Sequence, residues 1–147
     1  MKTKRILLVE DNPRDEALTL RALKKMAVEH AVSVVRDGVE ALDYLFCTGP
    51  FADRDITDAP QVVLLDLKLP KLGGLDVLKR LRADARTRLL PVVVFTSSSE
   101  QEDMLKSYDH GANSYVRKPV DFEQFSKATE QLGLYWLLHN QPPPEGV

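Results

Sequence analysis

The decapeptide QVVLLDLKLP spans residues 61–70, and in it four apolar side chains, Val62 to Leu65, run directly into the carboxylate of Asp66. A continuous apolar run of this kind reads as a strand covered on both faces, as in a parallel sheet. Four further short runs share its character: residues 6–9 (ILLV), 31–35 (AVSVV), 92–95 (VVVF) and 113–116 (NSYV). Together they give five expected strands.

Helical patterns separate them. Asn12-Pro13 offers an N-cap followed by proline at the first helical position, with Asp15 and Glu16 in the first turn, where the helix dipole favours negative charge. Ala17, Leu20, Leu23 or Lys24, and Ala27 follow at helical spacing. Asp37-Gly38 opens a second helix through Val39, Ala41, Leu42 and Leu45, and Gly73-Gly74 precedes a third with Leu75, Leu78 and Leu81 on one face. A fourth fits residues 99–108 with Ser99 as its cap, and Asp121 caps a fifth carrying Phe122, Phe125, Ala128 or Thr129, and Leu132. Strand and helix thus alternate five times, which predicts a doubly wound α/β sandwich: a five-stranded parallel sheet between helices, with its functional crevice at the carboxyl ends of the strands.

The whole chain, 147 residues with 29% charged residues and a formal net charge of -2, has the balance of one soluble domain, and argues against a nucleic-acid surface or a disordered chain. Cys47 is the only cysteine, so no internal disulfide and no cysteine-rich zinc site is expected. The apolar stretch at residues 6–9 is too short for a signal peptide or a membrane span, and the expected location is the cytoplasm. Residues 48–60 are too polar and proline-punctuated for core and read as a long loop. The expected division is a domain over residues 1–140 and an extended or mobile proline-rich tail over 141–147.

The residues that follow the strands carry the chemistry. They are Glu10 and Asp11 after the first, Asp66 after the third, Thr96 after the fourth, and Lys118-Pro119 after the fifth. Three carboxylates gathered on one edge repel, by roughly 3 kcal/mol per pair at about 5 Å and an effective dielectric near 20. A cation must therefore join them, and hard oxygen ligands suit Mg²⁺, which keeps waters that a phosphoryl group can replace. Lys118 supplies a fixed positive charge for a phosphoryl oxygen, and Thr96 a neutral donor. The set suits nucleophilic attack by Asp66, at the middle of the edge, on phosphorus.

Four segments in order, residues 9–12 (VEDN), 64–74 (LLDLKLPKLGG), 94–98 (VFTSS) and 115–119 (YVRKP), resemble the motifs of two-component receiver domains over about residues 4 to 132. The resemblance implies a flavodoxin-like sheet of order 2-1-3-4-5 and a phosphoprotein in which Asp66 accepts phosphate from a sensor histidine kinase. It implies that Asp11, Asp66 and the Lys68 backbone carbonyl ligate Mg²⁺, with Glu10 acting largely through water. Thr96 would bond the phosphoryl group, Tyr115 would be the aromatic whose rotamer follows that threonine, and Lys118 would contact the phosphate beside a cis peptide to Pro119. Such a chain is no ordinary enzyme: it catalyses its own phosphotransfer and slow dephosphorylation. Residues 37–45 (DGVEALDYL), the loop at 48–60 and the ending 134–138 (LYWLL) with its proline tail look like the single-domain response regulators that serve bacterial phytochrome kinases.

Rival readings fail on particular residues. A nucleotide hydrolase would need a G-x-x-x-x-G-K loop, which the seven glycines never make. A phosphatase of the haloacid dehalogenase type wants a second aspartate two residues after the first, where this chain has Lys68. A flavodoxin-like carrier would find Glu10-Asp11 repelling its cofactor phosphate. The alternative left standing is a pseudo-receiver, a protein-binding module without phosphotransfer. Residues 134–138 are apolar and either pack back on their own domain or, being in excess of what such a core needs, mark an interface; the resemblance to the phytochrome-associated regulators implies a homodimer through the fourth-helix, fifth-strand and fifth-helix face. Output is expected through altered association, with no DNA-binding domain, no nucleic acid and no membrane involved. The resemblance implies that Lys68 and Ser98, two residues beyond the aspartate and the threonine, flank the route of a hydrolytic water; neither is a carboxylate or amide that would orient it, so a long-lived phosphorylated form is expected.

Overall fold

The computed structural model describes residues 3–144. Strands β1 (Lys4–Val9), β2 (His30–Val35), β3 (Val62–Leu65), β4 (Val92–Thr96) and β5 (Ser114–Arg117) alternate with helices α1 (Pro13–Lys24), α2 (Gly38–Phe46), α3 (Gly74–Ala83), α4 (Gln101–Asp109) and α5 (Phe122–Leu134). All pairings are parallel and the sheet order is β2-β1-β3-β4-β5. The expected doubly wound sandwich and its strand order are therefore what the chain adopts.

The apolar runs are continuous because each strand alternates between two buried faces. Leu7, Val9, Val63 and Leu65 pack with Ala41, Leu45, Val77, Leu78 and Leu81 of α2 and α3. Ile6, Leu8, Val62 and Leu64 pack on the other side with Leu23 and Met26, and with Trp136 and Leu137 from beyond α5. In register, Val9 lies opposite Leu65 and Leu65 opposite Val94, so the residues after these strands emerge side by side.

Caps hold three helices where the sequence placed them. The Asn12 side chain accepts from Arg14 N (2.9 Å) and Asp15 N (3.1 Å), Asp37 from Glu40 N (2.7 Å), and Asp121 from Gln124 N (3.0 Å). The fourth helix differs. It starts at Gln101 rather than Ser99, with Glu100 at the cap position making no side-chain cap bond. Ser98 stands in, accepting from Glu100 N (3.3 Å) and donating to Asp103 Oδ2 (2.6 Å).

The buried face of α1 keeps the expected Leu23, with Leu20 packed against the core, and adds Thr19 and Ala22, while Ala17, Lys24 and Ala27 are exposed. The partner helix leaves room on this side. A Cβ at Gly133 of α5 would lie 2.4 Å from Met26 Sδ and 2.9 Å from Leu23 Cδ2, so the missing side chain admits these two. Val39 and Phe122, expected on inner faces, are exposed.

Two segments are more ordered than their composition suggests. The loop at 48–60 contains a 3₁₀ turn, Gly49–Phe51, whose Phe51 ring meets buried Tyr44 edge-on at 5.1 Å. The Arg54 guanidinium sits 3.8 Å over the Tyr44 ring and donates to the carbonyls of Tyr44 and Asp58, pinning the loop. Beyond α5 a π-helical segment, Tyr135–His139, buries Trp136 and Leu137 in the chain's own core, and the Lys4 ammonium donates to the Leu137 carbonyl. Of the two readings of residues 134–138, packing back on the domain holds for Trp136 and Leu137, and the interface reading is corrected to Tyr135 and Leu138, which stay well exposed. Residues 141–144 are exposed and without regular structure, and the rest of the expected tail, 145–147, lies outside the described residues.

Candidate functional site

The sheet's carboxyl edge gathers residues from across the chain. Backbone pairing continues one step past the strands: Glu10 N donates to Val35 O (3.0 Å), Asp66 N to Val9 O (3.1 Å) and Lys118 N to Thr96 O (2.7 Å). These bonds fix the backbones from which Glu10, Asp66 and Lys118 reach inward. Glu10, Asp66, Thr96 and Lys118 are all buried, and Asp11 is exposed at the rim.

Asp66 is held at both oxygens. The Thr96 hydroxyl donates to Oδ1 at 2.9 Å, and the Lys118 ammonium donates to Oδ2 at 2.9 Å. The Lys68 amide approaches Oδ1 at 3.4 Å, which places the turn carrying Lys68 against the same carboxylate, while the Lys68 side chain is exposed. Gly74 closes the site from below: a Cβ there would lie 2.3 Å from the Asp66 carbonyl oxygen and 2.8 Å from Leu67 Cα, so only glycine lets α3 start this near the aspartate.

Lys118 has three carboxylate partners, Glu10, Asp66 and Asp15, the last at 3.0 Å. Asp15 was not singled out in the sequence, because the helix dipole already accounted for an acid in the first turn of α1. No local pattern could have joined it to a lysine just past β5. The expected cis peptide at Lys118-Pro119 is a correction: among the described residues every peptide bond is trans. Trans is the ordinary preference even before proline.

Electrostatics follow from burial. Burial pushes the Glu10 carboxyl up to about 7, against the hydrogen bond and charge of Lys118, with the Asp66 charge adding to the rise. For Lys118 burial is the largest single influence and pulls the ammonium down, but Asp66 and Glu10 together outweigh it and hold the group above its usual range. One ammonium thus serves three carboxylates, and a surplus of negative charge remains.

That surplus, with the donor chemistry, is the test of whether a cation fits. One carboxylate oxygen each from Glu10, Asp11 and Asp66 lie within 4.8 Å of one another, an all-oxygen set with one exposed member beside which a metal can keep waters. The residues fit Mg²⁺. In metal-free protein the raised Glu10 pKa means that its contribution to stability is complete below about pH 4.5 and is lost as pH rises through about 7. Added Mg²⁺ should raise the melting temperature, by the equivalent of about 2.7 kcal/mol at a hundredfold excess over Kd, and most strongly above pH 7. A thermal-shift series from pH 5 to 8, with chelator and with Mg²⁺, checks this; a metal effect that is equal at all pH values would contradict it.

Tyr115 is half-buried, and its hydroxyl donates to the Ser98 carbonyl at 2.8 Å, tying β5 to the β4–α4 loop. Burial raises its pKa. Ser98 is buried with its own hydroxyl on Asp103, and its amide approaches Thr96 Oγ1 at 3.4 Å. Thr96, Ser98, Tyr115 and Asp103 therefore form one connected group.

Comparison with known proteins agrees with this geometry. The sequence model of the family described as "Response regulator receiver domain" matches residues 6–130. The phosphorylated cyanobacterial phytochrome response regulator RcpA superposes with a TM-score of 0.91 at 36% identity, covering 97% of this chain and all of that one. The Mn²⁺-bound form of response regulator Rcp1, a protein of Synechocystis sp. PCC 6803, gives 0.89 at 32% identity, covering 96% and 99%. The bacteriophytochrome response regulator RtBRR is 51% identical, with a TM-score of 0.76 over 97% of this chain and 86% of that one.

Proposed function

The chain belongs to the response regulator receiver family, and from that premise we propose that it accepts a phosphoryl group on Asp66 from a sensor histidine kinase of the phytochrome type. The observation that carries the reading is the Asp66 carboxylate, with one oxygen on Thr96 and the other on Lys118, beside two further acids at the rim. In the transfer an Asp66 oxygen bonds to phosphorus as the phosphorus–nitrogen bond to the kinase histidine breaks, its electron pair returning to the imidazole. Mg²⁺ held by Asp11, Asp66 and the Lys68 carbonyl, with Glu10 acting largely through water, would neutralise charge on the phosphoryl oxygens. The phytochrome assignment is supported by full-length likeness to RcpA, Rcp1 and RtBRR.

Thr96 and Lys118 are already in place to pass their hydrogen bonds from Asp66 to phosphoryl oxygens. The added charge of about -1.5 to -2 pulls on Thr96. Through the Thr96–Ser98 and Tyr115–Ser98 contacts, the pull reaches the α4–β5–α5 face. Incubation with Mg²⁺ and acetyl phosphate, read by intact mass, tests the core of the proposal. Absence of a phosphate adduct on the folded wild type would leave a pseudo-receiver.

The same reading extends to lifetime and output. Ser98 is committed to Asp103 and the Lys68 ammonium points to solvent, so nothing at either place orients a hydrolytic water. Self-dephosphorylation should take minutes to hours, and Lys68→Asn should speed it about tenfold or more; a wild-type half-life of seconds would refute it. On α4, Met104, Leu105 and Tyr108 are exposed, Leu105 to 71%, which supports a homodimer through the α4–β5–α5 face. Leu105→Glu should shift sedimentation from dimer to monomer, and a wild type that sediments as a monomer in both phosphorylation states would remove the dimer. Residues 1–140 are proposed as the receiver unit and the cytoplasm as its location. No helix of the described residues is long and apolar enough to cross a membrane.

A further inference from the structure

An ammonium has three N–H donors, and around Lys118 three carboxylates take one each. The three partners are not equivalent. Glu10 and Asp66 also belong to the group that can hold a metal, whereas Asp15 does not. When a metal binds, Glu10 and Asp66 turn part of their acceptor strength to it. When Asp66 becomes an acyl phosphate, one of its oxygens becomes a bridging oxygen and is a far weaker acceptor. Asp15 is the partner that neither event takes away.

The first turn of α1 shows that this pairing is more than a dipole effect. Its two acids, Asp15 and Glu16, sit equally well for the helix N-terminus, but Glu16 turns outward to a bidentate pair with Arg36 (2.9 and 3.1 Å). Asp15 turns inward across 103 residues of sequence to Lys118. It also walls a hollow of about 170 Å³ beside the lysine, lined with Arg14, Leu18, Ser97 and Phe122.

Resting on the reading of Asp66 as the phosphoacceptor, we propose that Asp15 is the positioning residue for Lys118: it keeps the ammonium aimed at the phosphoryl group once Glu10 and Asp66 are engaged elsewhere. A lysine stem has four rotatable carbons, and without an anchor the ammonium must be ordered anew in each transfer. The effect therefore falls on the rate of phosphoryl transfer and spares metal affinity.

The experiment uses the full chain with Mg²⁺ and acetyl phosphate, whose phosphorus–oxygen bond breaks as acetate leaves. Asp15→Asn should lower the maximal phosphorylation rate by about tenfold to a hundredfold, with the Mg²⁺ half-saturation unchanged. Asp15→Glu should restore most of the rate. In a Lys118→Ala background Asp15→Asn should have no further effect. A wild-type rate in Asp15→Asn overturns the proposal, as does an effect that persists in the absence of Lys118. Where Lys118→Ala does not fold, the Asp15→Glu rescue decides alone, and failure to rescue a folded chain overturns it. If the wild type takes up no phosphoryl group, the phosphoacceptor reading falls and this proposal with it; if wild type and Asp15→Asn react equally, only this proposal falls.

Discussion

Asp66→Asn takes up no measurable phosphate: the rate from acetyl phosphate falls at least about ten-thousandfold, as expected when the attacking atom itself is removed. The amide keeps the size of the carboxylate and can still accept from Thr96 or Lys118, the two groups that hold Asp66. The loss is therefore one of nucleophilicity and not of fold. Substitution also removes one negative charge from the group sharing a single ammonium. In the presence of chelator the variant should melt at or above the wild-type temperature, while its stabilisation by Mg²⁺ shrinks. Intact mass and thermal denaturation on the same samples report both, and phosphorylation of the variant at the wild-type rate would place the acceptor elsewhere.

Lys118→Ala should lower stability by about 3–5 kcal/mol without metal, because it strands buried Glu10 and Asp66, together with Asp15, without their shared counter-charge. Mg²⁺ should recover part of that loss, since a cation beside Glu10, Asp11 and Asp66 neutralises the same carboxylates. Phosphorylation falls as well, even in the metal-loaded variant. Urea unfolding with chelator and with Mg²⁺ separates the two effects, and equal midpoints for wild type and variant in chelator would show that the carboxylates do not depend on the lysine. The exposed pairs Lys106–Glu102 and Arg86–Asp84 differ in kind: water screens them, so breaking either should leave the unfolding midpoint nearly unchanged.

The legible parts of the chain were those where one residue's role depends on its immediate neighbours. Val62 to Leu65 read as a buried strand because both faces of a parallel sheet are covered, and Asn12, Asp37 and Asp121 read as caps because their side chains bond backbone amides two or three residues on. Residues whose role depends on a distant partner read less well. Helical spacing in α1 was compatible with more than one face, and Gly133 of α5 leaves the room that Leu23 and Met26 fill. Ser99 looked like a cap for α4 until Ser98 and Asp103 supplied the bonds. Phe51 sat in a polar loop, yet the edge of the Tyr44 ring holds it.

By itself the sequence determined that acids stand after β1 and β3, a threonine at the end of β4 and a lysine after β5, and that strand–helix alternation would bring them to one edge. Alternation forces parallel strands, and parallel strands put all their carboxyl ends together. Only the tertiary structure decided that Asp15 joins Lys118, that Trp136 and Leu137 close the chain's own core, and that Lys118 meets Pro119 through a trans bond. The first two are settled by which buried groups need a partner once the layers have packed, and a buried charge or ring takes the nearest one in space regardless of its distance along the chain.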